Sequence, residues 1–174
     1  MIESESAFWQ FSLRFYARDG VPPLCLALQD QHGIDVNLLF LLLFLAMQQR
    51  RVSRTDVKKM NDITAAWREH AVQPLRALRR DLKNGVAGMD ARATEALRND
   101  IKRCELHAER LQQEMLERTF PAAATGVASP MLEAAAQNIA AYGAALDSVR
   151  GTLPADVVQK LLTLFAAEFS APKA

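Results

Sequence analysis

The side chains best suited to chemistry lie close together between residues 29 and 37, next to an apolar run. Asp30 and Asp35 carry carboxylates, and two carboxylates can act as general acid and base or hold Mg²⁺. The candidate binding residues of this segment, which we call the polar knot, are Gln29, Asp30, His32, Asp35 and Asn37. Because polar groups beside a core must find hydrogen-bond partners, the polar knot is either a set of helix caps or a site.

Gly33 divides the polar knot into the end of one helix and the start of the next. A glycine commonly follows a helix, and a histidine in the last turn can interact with the last carbonyls, as His32 would. Asp35 then has the position of an N-cap, whose oxygen accepts from the backbone N–H groups of the first turn. Capping is the favoured interpretation. A ligand or partner site is the alternative, and catalysis is the least favoured because no helical spacing fixes the distance between the two aspartates.

Other chemical signatures are weak in this sequence. The histidines His32, His70 and His107 fall on three different predicted helices, without the paired spacing that converging metal ligands need. Neither cysteine has a nucleophile signature, and the sequence contains no Gly-rich phosphate loop or Gly-x-Ser-x-Gly elbow. We therefore assign no catalytic residue, no metal and no cofactor.

A charge asymmetry offers a second candidate site. Residues 50 to 83 hold ten Lys or Arg against four Asp or Glu, a balance of +6, whereas residues 1 to 49 have a balance of −3. Five of these cations form what we call the basic stripe: Arg68, Arg76, Arg79, Arg80 and Lys83. The stripe could bind an anionic partner, although a solvated face that pairs with nearby acids is favoured. Specific nucleic-acid recognition is not expected, because no RNA-reading aromatic motif accompanies the cations.

The elements that position these residues are predicted to be helices. Hydrophobic content is 50%, with 24% charged residues and only 7 Gly and 7 Pro, which is typical of a folded globular chain. Apolar residues recur at spacings of three and four, which indicates an all-α protein. Aromatic residues crowd a first helix from Ser6 to Arg18. The apolar run from Val36 to Met47 is shorter than the roughly 20 residues that span a bilayer, so it is predicted to be a buried core helix.

A long antiparallel helical hairpin is predicted in the middle of the chain. Its first helix begins near Ser53 and reaches Lys83 with a kink at Pro74, and its second runs from Asp90 to Arg118. The residues expected to face inward from the first helix are Met60, Ile63, Trp67, Ala71 and Leu78. The second helix carries an a/d seam of Leu97, Ile101, Cys104, Ala108, Leu111 and Met115. A part of that seam left uncovered by the chain would favour a homodimer.

The sequence thus predicts a bundle of about six helices. Residues 1–120 form a helical core plus the hairpin, residues 121–129 a linker, and residues 130–174 a C-terminal helix pair that packs on the same bundle. Residues 1–5 lack the basic and apolar regions of a signal peptide, and two distant cysteines in apolar patterns suit a reducing compartment. A cytoplasmic protein without a membrane span is expected.

Several short motifs point to a known family. They are Phe8-Trp9-x-Phe11-Ser12-Leu13-x-Phe15-Tyr16, Cys25-Leu26-x-Leu28-Gln29-Asp30, Gly33-x-Asp35-Val36-Asn37, Trp67-Arg68 and Pro74-Leu75-Arg76-x-Leu78-Arg79-Arg80-x-Leu82-Lys83. In combination these motifs resemble a family of small helical proteobacterial proteins described only as a domain of unknown function. The resemblance covers about residues 6–120 and includes the polar knot. It implies a bacterial cytoplasmic context and brings no established activity.

The functional expectation is a non-enzymatic interaction or adaptor protein that binds a protein or an anionic partner through helical surface. The alternative is a small-molecule-binding protein or an enzyme with a polar pocket around Asp30, Asp35 and Asn37, to which Arg14 or Arg68 could contribute.

Overall fold

The computed structural model describes residues 6–146 and 153–170. Residues 1–5, which lack the features of a signal peptide, lie outside the described residues. The all-α class is confirmed. The helices are α1 (Ala7–Tyr16), α2 (Val21–His32), α3 (Val36–Met47), α4 (Arg54–Trp67), α5 (Gln73–Asp81), α6 (Ala91–Thr119), α7 (Met131–Leu146) and α8 (Ala155–Phe169). No helix within these two ranges is both long and apolar enough to cross a membrane.

Helices α4 and α5 form one continuous helical path, because a π-helical segment, Arg68–Val72, joins them. The described residues therefore contain seven continuous helices, against about six expected. Pro74 explains the π segment: proline has no backbone N–H, and its ring would clash with the carbonyl four residues earlier in a regular α-helix. The preceding turn widens instead, and Gln73 N–H donates to the carbonyl of Arg68, five residues back.

The chain divides into two compact units. The main unit contains the described residues up to 61 and from 113 onward, and therefore unites α1, α2 and α3 with α7 and α8. The hairpin unit contains residues 62–112, which include the C-terminal part of α4 from residue 62, all of α5 and most of α6.

Helix α3 lies in the core of the main unit, as the apolar run predicted. Every residue from Asn37 to Ala46 is buried, and α7 packs along this helix. Aromatic side chains of α1 pack on it from another side: the ring centroids of Phe8 and Phe44 are 5.4 Å apart, as are those of Phe15 and Phe40. Burying each such side chain stabilises the fold by about 1.5 to 3 kcal/mol.

Carboxylates from distant parts of the chain fix both ends of α1. At the start, Glu117 accepts hydrogen bonds from Ser6 Oγ at 2.6 Å and from Phe8 N at 3.1 Å. Near the end, Glu168 of α8 pairs with Arg14 at 2.6 Å and with Arg18 at 2.8 Å. Hydrogen bonds from these two guanidiniums hold the pKa of Glu168 below its usual range.

A buried asparagine joins α7 to the segment that follows α3. Asn138 is fully buried, and its Nδ2 donates to the carbonyls of Leu42 and Arg50 at 3.0 Å each. Its Oδ1 accepts from Val52 N at 2.8 Å. Beside it, the two-residue strand β1 (Arg50–Arg51) pairs antiparallel with β2 (Val127–Ala128). The segment predicted as a linker, residues 121–129, thus supplies a strand, which is too short to leave a periodic signal in the sequence.

The two helical arms of the hairpin unit run antiparallel. Trp67 Nε1 on the first arm donates to the carbonyl of Ala108 on α6 at 2.9 Å, and further along the first arm Arg76 pairs with Glu105 at 2.9 Å. The start of α4 is closed by reciprocal capping: Ser53 N donates to Asp56 Oδ2 at 3.0 Å, and Asp56 N donates to Ser53 Oγ at 3.2 Å.

The inward faces predicted for the hairpin helices are wrong in part. On the first arm Met60 is buried as predicted and Ala71 is half-buried, but Ile63, Trp67 and Leu78 are exposed. The other buried residues of this arm are Val57, Thr64 and Val72. On α6 the members of the predicted seam differ in burial: Ile101 and Ala108 are buried, Met115 is half-buried, and Leu97, Cys104 and Leu111 are exposed. The buried face includes the polar side chains of Glu105 and Gln112, which directly follow the exposed Cys104 and Leu111.

Candidate functional site

The polar knot contains a helix end and a helix start, as the sequence predicted. Gly33 has a φ of +60°, the left-handed conformation that favours glycine after a helix. Gly33 N donates to the carbonyl of Gln29 at 3.0 Å, and Ile34 N donates to that of Leu28 at 3.2 Å. Asp35 is the N-cap of α3: its Oδ1 accepts from Asn37 N at 2.9 Å and from Leu38 N at 3.4 Å. These bonds satisfy backbone groups that a helix end leaves without partners.

Tyr142 of α7 contacts the backbone of Asp35 through its hydroxyl group. Its hydroxyl accepts from Asp35 N at 3.0 Å and lies 3.4 Å from the carbonyl oxygen of Asp35. The ring is buried, with only 1% of its surface exposed. Sequence reasoning missed this residue. The available signal was a tyrosine within an Ala-rich helix, because a buried tyrosine hydroxyl usually finds a hydrogen-bond partner.

Asn37 serves a different purpose from Asp35. Its Oδ1 accepts from Nε2 of Gln113 at 2.8 Å, and both side chains are buried. The side-chain oxygen of Gln113, Oε1, has no hydrogen-bond partner among the described residues. The bond ties the first turn of α3 to α6, and it explains why an asparagine interrupts an otherwise apolar run.

The other members of the polar knot lie farther from the core. Asp30 is exposed, and Gln29 and His32 are half-buried. Both backbone N–H groups that Asp35 caps donate to the same carboxylate oxygen, Oδ1. Within the described residues, no three His, Cys, Asp or Glu side chains are grouped so that they could hold a metal ion.

The basic stripe is partly neutralised inside the hairpin unit. Arg76 Nε donates to Oε1 of Glu105 at 2.9 Å, and Arg76 NH2 donates to Glu109 at 2.5 Å. Arg79 also pairs with Glu105 through Nε and NH2. The side chain of Glu105 is only 7% exposed. Burial raises the pKa of Glu105, but the hydrogen bonds and charges of Arg79 and Arg76 outweigh burial and leave that pKa below its usual range.

The rest of the basic stripe is more open to solvent. Arg68 is half-buried and donates through NH1 to Oγ1 of Thr64 at 2.5 Å. Arg80 and Lys83 are exposed. Two of the five cations, Arg76 and Arg79, thus bind carboxylates of the facing helix.

The hairpin unit has an unusual distribution of apolar side chains. Among the described residues, thirteen large apolar side chains are exposed, and eight of them belong to this unit, which is less than a third of the chain. Three exposed residues of α6 are spaced by seven: Leu97, Cys104 and Leu111, which we call the hairpin stripe. At about 100° per residue, positions seven apart fall within about 20° of one another, so the three share one side of the helix.

Trp67 extends the hairpin stripe onto the other helix. Its indole nitrogen bonds the carbonyl of Ala108, which lies one helical turn from Cys104 and one turn from Leu111. Trp67 is nevertheless 39% exposed. Exposed large apolar side chains grouped in one part of a protein are a common feature of interaction sites.

Comparison with known proteins identifies a family. A family model described as "Protein of unknown function (DUF2390)" matches residues 7–116. The matched range contains the polar knot, the basic stripe and the hairpin stripe, and it confirms the resemblance to a domain of unknown function. The curated proteins include no match to this chain, and neither do the solved structures.

Proposed function

We propose that this chain, which belongs to the family described as Protein of unknown function (DUF2390), is a non-enzymatic interaction protein whose hairpin unit binds a protein partner. The observation that carries this proposal is where polar and apolar side chains lie in the hairpin: ion pairs that are partly buried join its arms, while Leu97, Leu111 and Trp67 are exposed. Apolar side chains contribute more to stability when they are buried than when they face water. A partner that covers them would supply that burial.

The bacterial cytoplasm is the proposed setting. Both cysteines are free thiols, Cys25 buried and Cys104 exposed, as suits a reducing compartment. An exposed thiol would otherwise be open to oxidation.

The experiment compares two variants of α6 in the full chain. Leu97→Asp combined with Leu111→Asp places two charges on the hairpin stripe, and Leu106→Asp is the matched control. Leu106 is as exposed as Leu97, at 50% against 52%, and lies about 160° away from Cys104 around the helix. Purified tagged proteins are used to capture partners from a bacterial cytosol, and the molar mass of each protein is measured by light scattering.

We expect the wild-type chain and Leu106→Asp to bind the same partner, whether another protein or a second copy, and the double variant to lose it. Circular dichroism should show all three folded. Equal binding by the double variant and the wild type would make the proposal wrong.

The alternative function, a small-molecule site or enzyme at the polar knot, is favoured by one observation. Gln113 Oε1 is buried without a partner beside Asn37, although a buried water would also satisfy it. Native mass spectrometry of the purified chain tests this alternative: a co-purifying small molecule that is lost in Asn37→Leu would support it.

A further inference from the structure

The hairpin stripe is symmetric about its central residue. Leu97 precedes Cys104 by seven residues, and Leu111 follows it by seven. If two copies of α6 cross in opposite directions at Cys104, Leu97 of each copy comes level with Leu111 of the other. A twofold interface requires such a self-complementary surface, because the same patch must serve on both copies.

Polar residues along one edge of the hairpin stripe fit the same arrangement. Asp100 and His107 each follow a stripe residue by three positions, so both lie on the same edge. In the antiparallel crossing, Asp100 comes level with His107 of the second copy to within one residue, and the twofold axis repeats this pairing of a carboxylate acceptor with an imidazole N–H donor. Asp100 is exposed and pairs with Arg103 of its own chain. In a parallel crossing the twofold axis would run along the helices and set this edge against the opposite edge of the second copy, so Asp100 would not meet His107.

We infer that the hairpin stripe binds the hairpin stripe of a second copy of this chain, in an antiparallel pairing of α6 centred on Cys104. This inference rests on the proposed function, since it names the partner of the same surface. Each copy contributes two helical arms, so the pairing unites four helices, an arrangement common among helical bundles.

Disulfide crosslinking tests the register. Diamide accepts the two electrons and two protons that are lost when two thiols form a disulfide. The buried Cys25 should not react, whereas Cys104 of the wild-type chain should crosslink to Cys104 of the second copy. In a Cys104→Ser background, Leu97→Cys alone should give little dimer, because antiparallel pairing separates the two introduced thiols by about 21 Å along the helix. The same holds for Leu111→Cys alone.

A mixture of the Leu97→Cys and Leu111→Cys chains should crosslink, because these positions lie level in the antiparallel pairing. Crosslinking by Leu97→Cys alone would indicate a parallel pairing and overturn the inference. A monomeric mass for the wild-type chain at high concentration would also overturn it. If the double aspartate variant then still lost a different captured protein, the proposed function would stand without the self-association.

Charge exchange tests the edge contact. Asp100→Lys should weaken the dimer about threefold to tenfold, because both contacts between a carboxylate and an imidazole are lost. Adding His107→Asp should restore the affinity, since each lost contact is then replaced by a pair of lysine and aspartate. Glu95→Lys, on another side of α6, is the control and should leave the dimer unchanged. Failure of the double exchange to restore affinity would overturn the proposed register.

Discussion

Nε of Arg76 lies 2.9 Å from Oε1 of Glu105 and joins the two arms of the hairpin unit through a largely buried ion pair. Glu105 also accepts from Arg79, so one carboxylate holds two guanidiniums. The hairpin thus joins its arms partly through polar contacts, whereas an apolar seam was expected, and Leu97 and Leu111 of that seam are exposed.

Replacing Glu105 by glutamine should destabilise the chain. The amide keeps the size of the side chain but removes the charge that compensates Arg76 and Arg79, and we expect a loss of about 1 to 3 kcal/mol. Urea unfolding measures it. Glu95→Gln is the control, because the pair of Glu95 with Arg98 is exposed on the glutamate side and should change stability by less than about 0.5 kcal/mol. Equal effects would contradict the special role of Glu105.

The same carboxylate should make stability depend on pH in the acid range. Its pKa is lower in the folded chain than its ordinary value of 4.5. A group of this kind contributes stability above its unfolded pKa and loses that contribution as the pH falls through the folded pKa. The difference in unfolding free energy between the wild-type chain and Glu105→Gln should be constant from pH 7 to about 5 and shrink below 4.5. A difference that grew on acidification would refute this assignment.

Replacing Asn138 by alanine should be among the most destabilising single changes in the main unit. It would leave Val52 N–H and the carbonyls of Leu42 and Arg50 without their side-chain partner in a buried place. Together with the cavity, we expect a cost of about 2 to 4 kcal/mol. The neighbouring Gln137→Ala, which removes a bond to exposed Glu133, should cost far less. Chemical denaturation of both variants decides the comparison.

Two glycines with positive φ should respond differently to alanine. Gly126 has a φ of +68° and Gly88 one of +82°, so each substitution should cost about 1 kcal/mol for the positive φ. At Gly126, however, a Cβ would lie 2.2 Å from the carbonyl oxygen of Arg51, whereas Gly88 has open space. Thermal unfolding should therefore show a clearly larger loss for Gly126→Ala. Similar losses would mean that the backbone at Arg51 can move away from Gly126 at little cost in free energy.

The two cysteines should differ in reactivity. Burial raises the pKa of Cys25 to about 12, so at pH 8 its thiol is protonated as well as inaccessible, and thiolates are the reactive species. Cys104 is exposed. Brief treatment with iodoacetamide should modify Cys104 alone, as peptide mass spectrometry would show, and both residues should react in urea. Rapid modification of native Cys25 would contradict the burial of its side chain.

Local signals in the sequence were sufficient for most of the helices. Ser53, Gly33 and Asp35 marked helix boundaries through capping chemistry that depends on a few neighbouring residues, and each is found at the expected boundary. The continuous apolar run correctly predicted a buried α3, because a helix that is apolar on every side has no face suited to water.

The partners of the polar residues could not be predicted, since they come from distant positions. Tyr142 meets Asp35 across 107 residues and Gln113 meets Asn37 across 76, and nothing in the local pattern joins them. The same limit explains the error in the hairpin. Apolar residues at spacings of three and four show that one side of α6 is apolar. They do not fix which side is buried, because adjacent sides of a helix differ by a small rotation about its axis and the contacts with the facing helix decide between them.

The sequence by itself determined an all-α chain, the helix boundaries at Gly33, Asp35 and Ser53, and the burial of α3, because periodicity and capping act over one or two turns. Only the tertiary structure decided that Asp35 and Asn37 are tied into the core, that Arg76 and Arg79 bind Glu105, and that Leu97 and Leu111 are exposed. These contacts depend on which side chains meet in the folded chain. A buried charge requires a partner, and an apolar side chain does not.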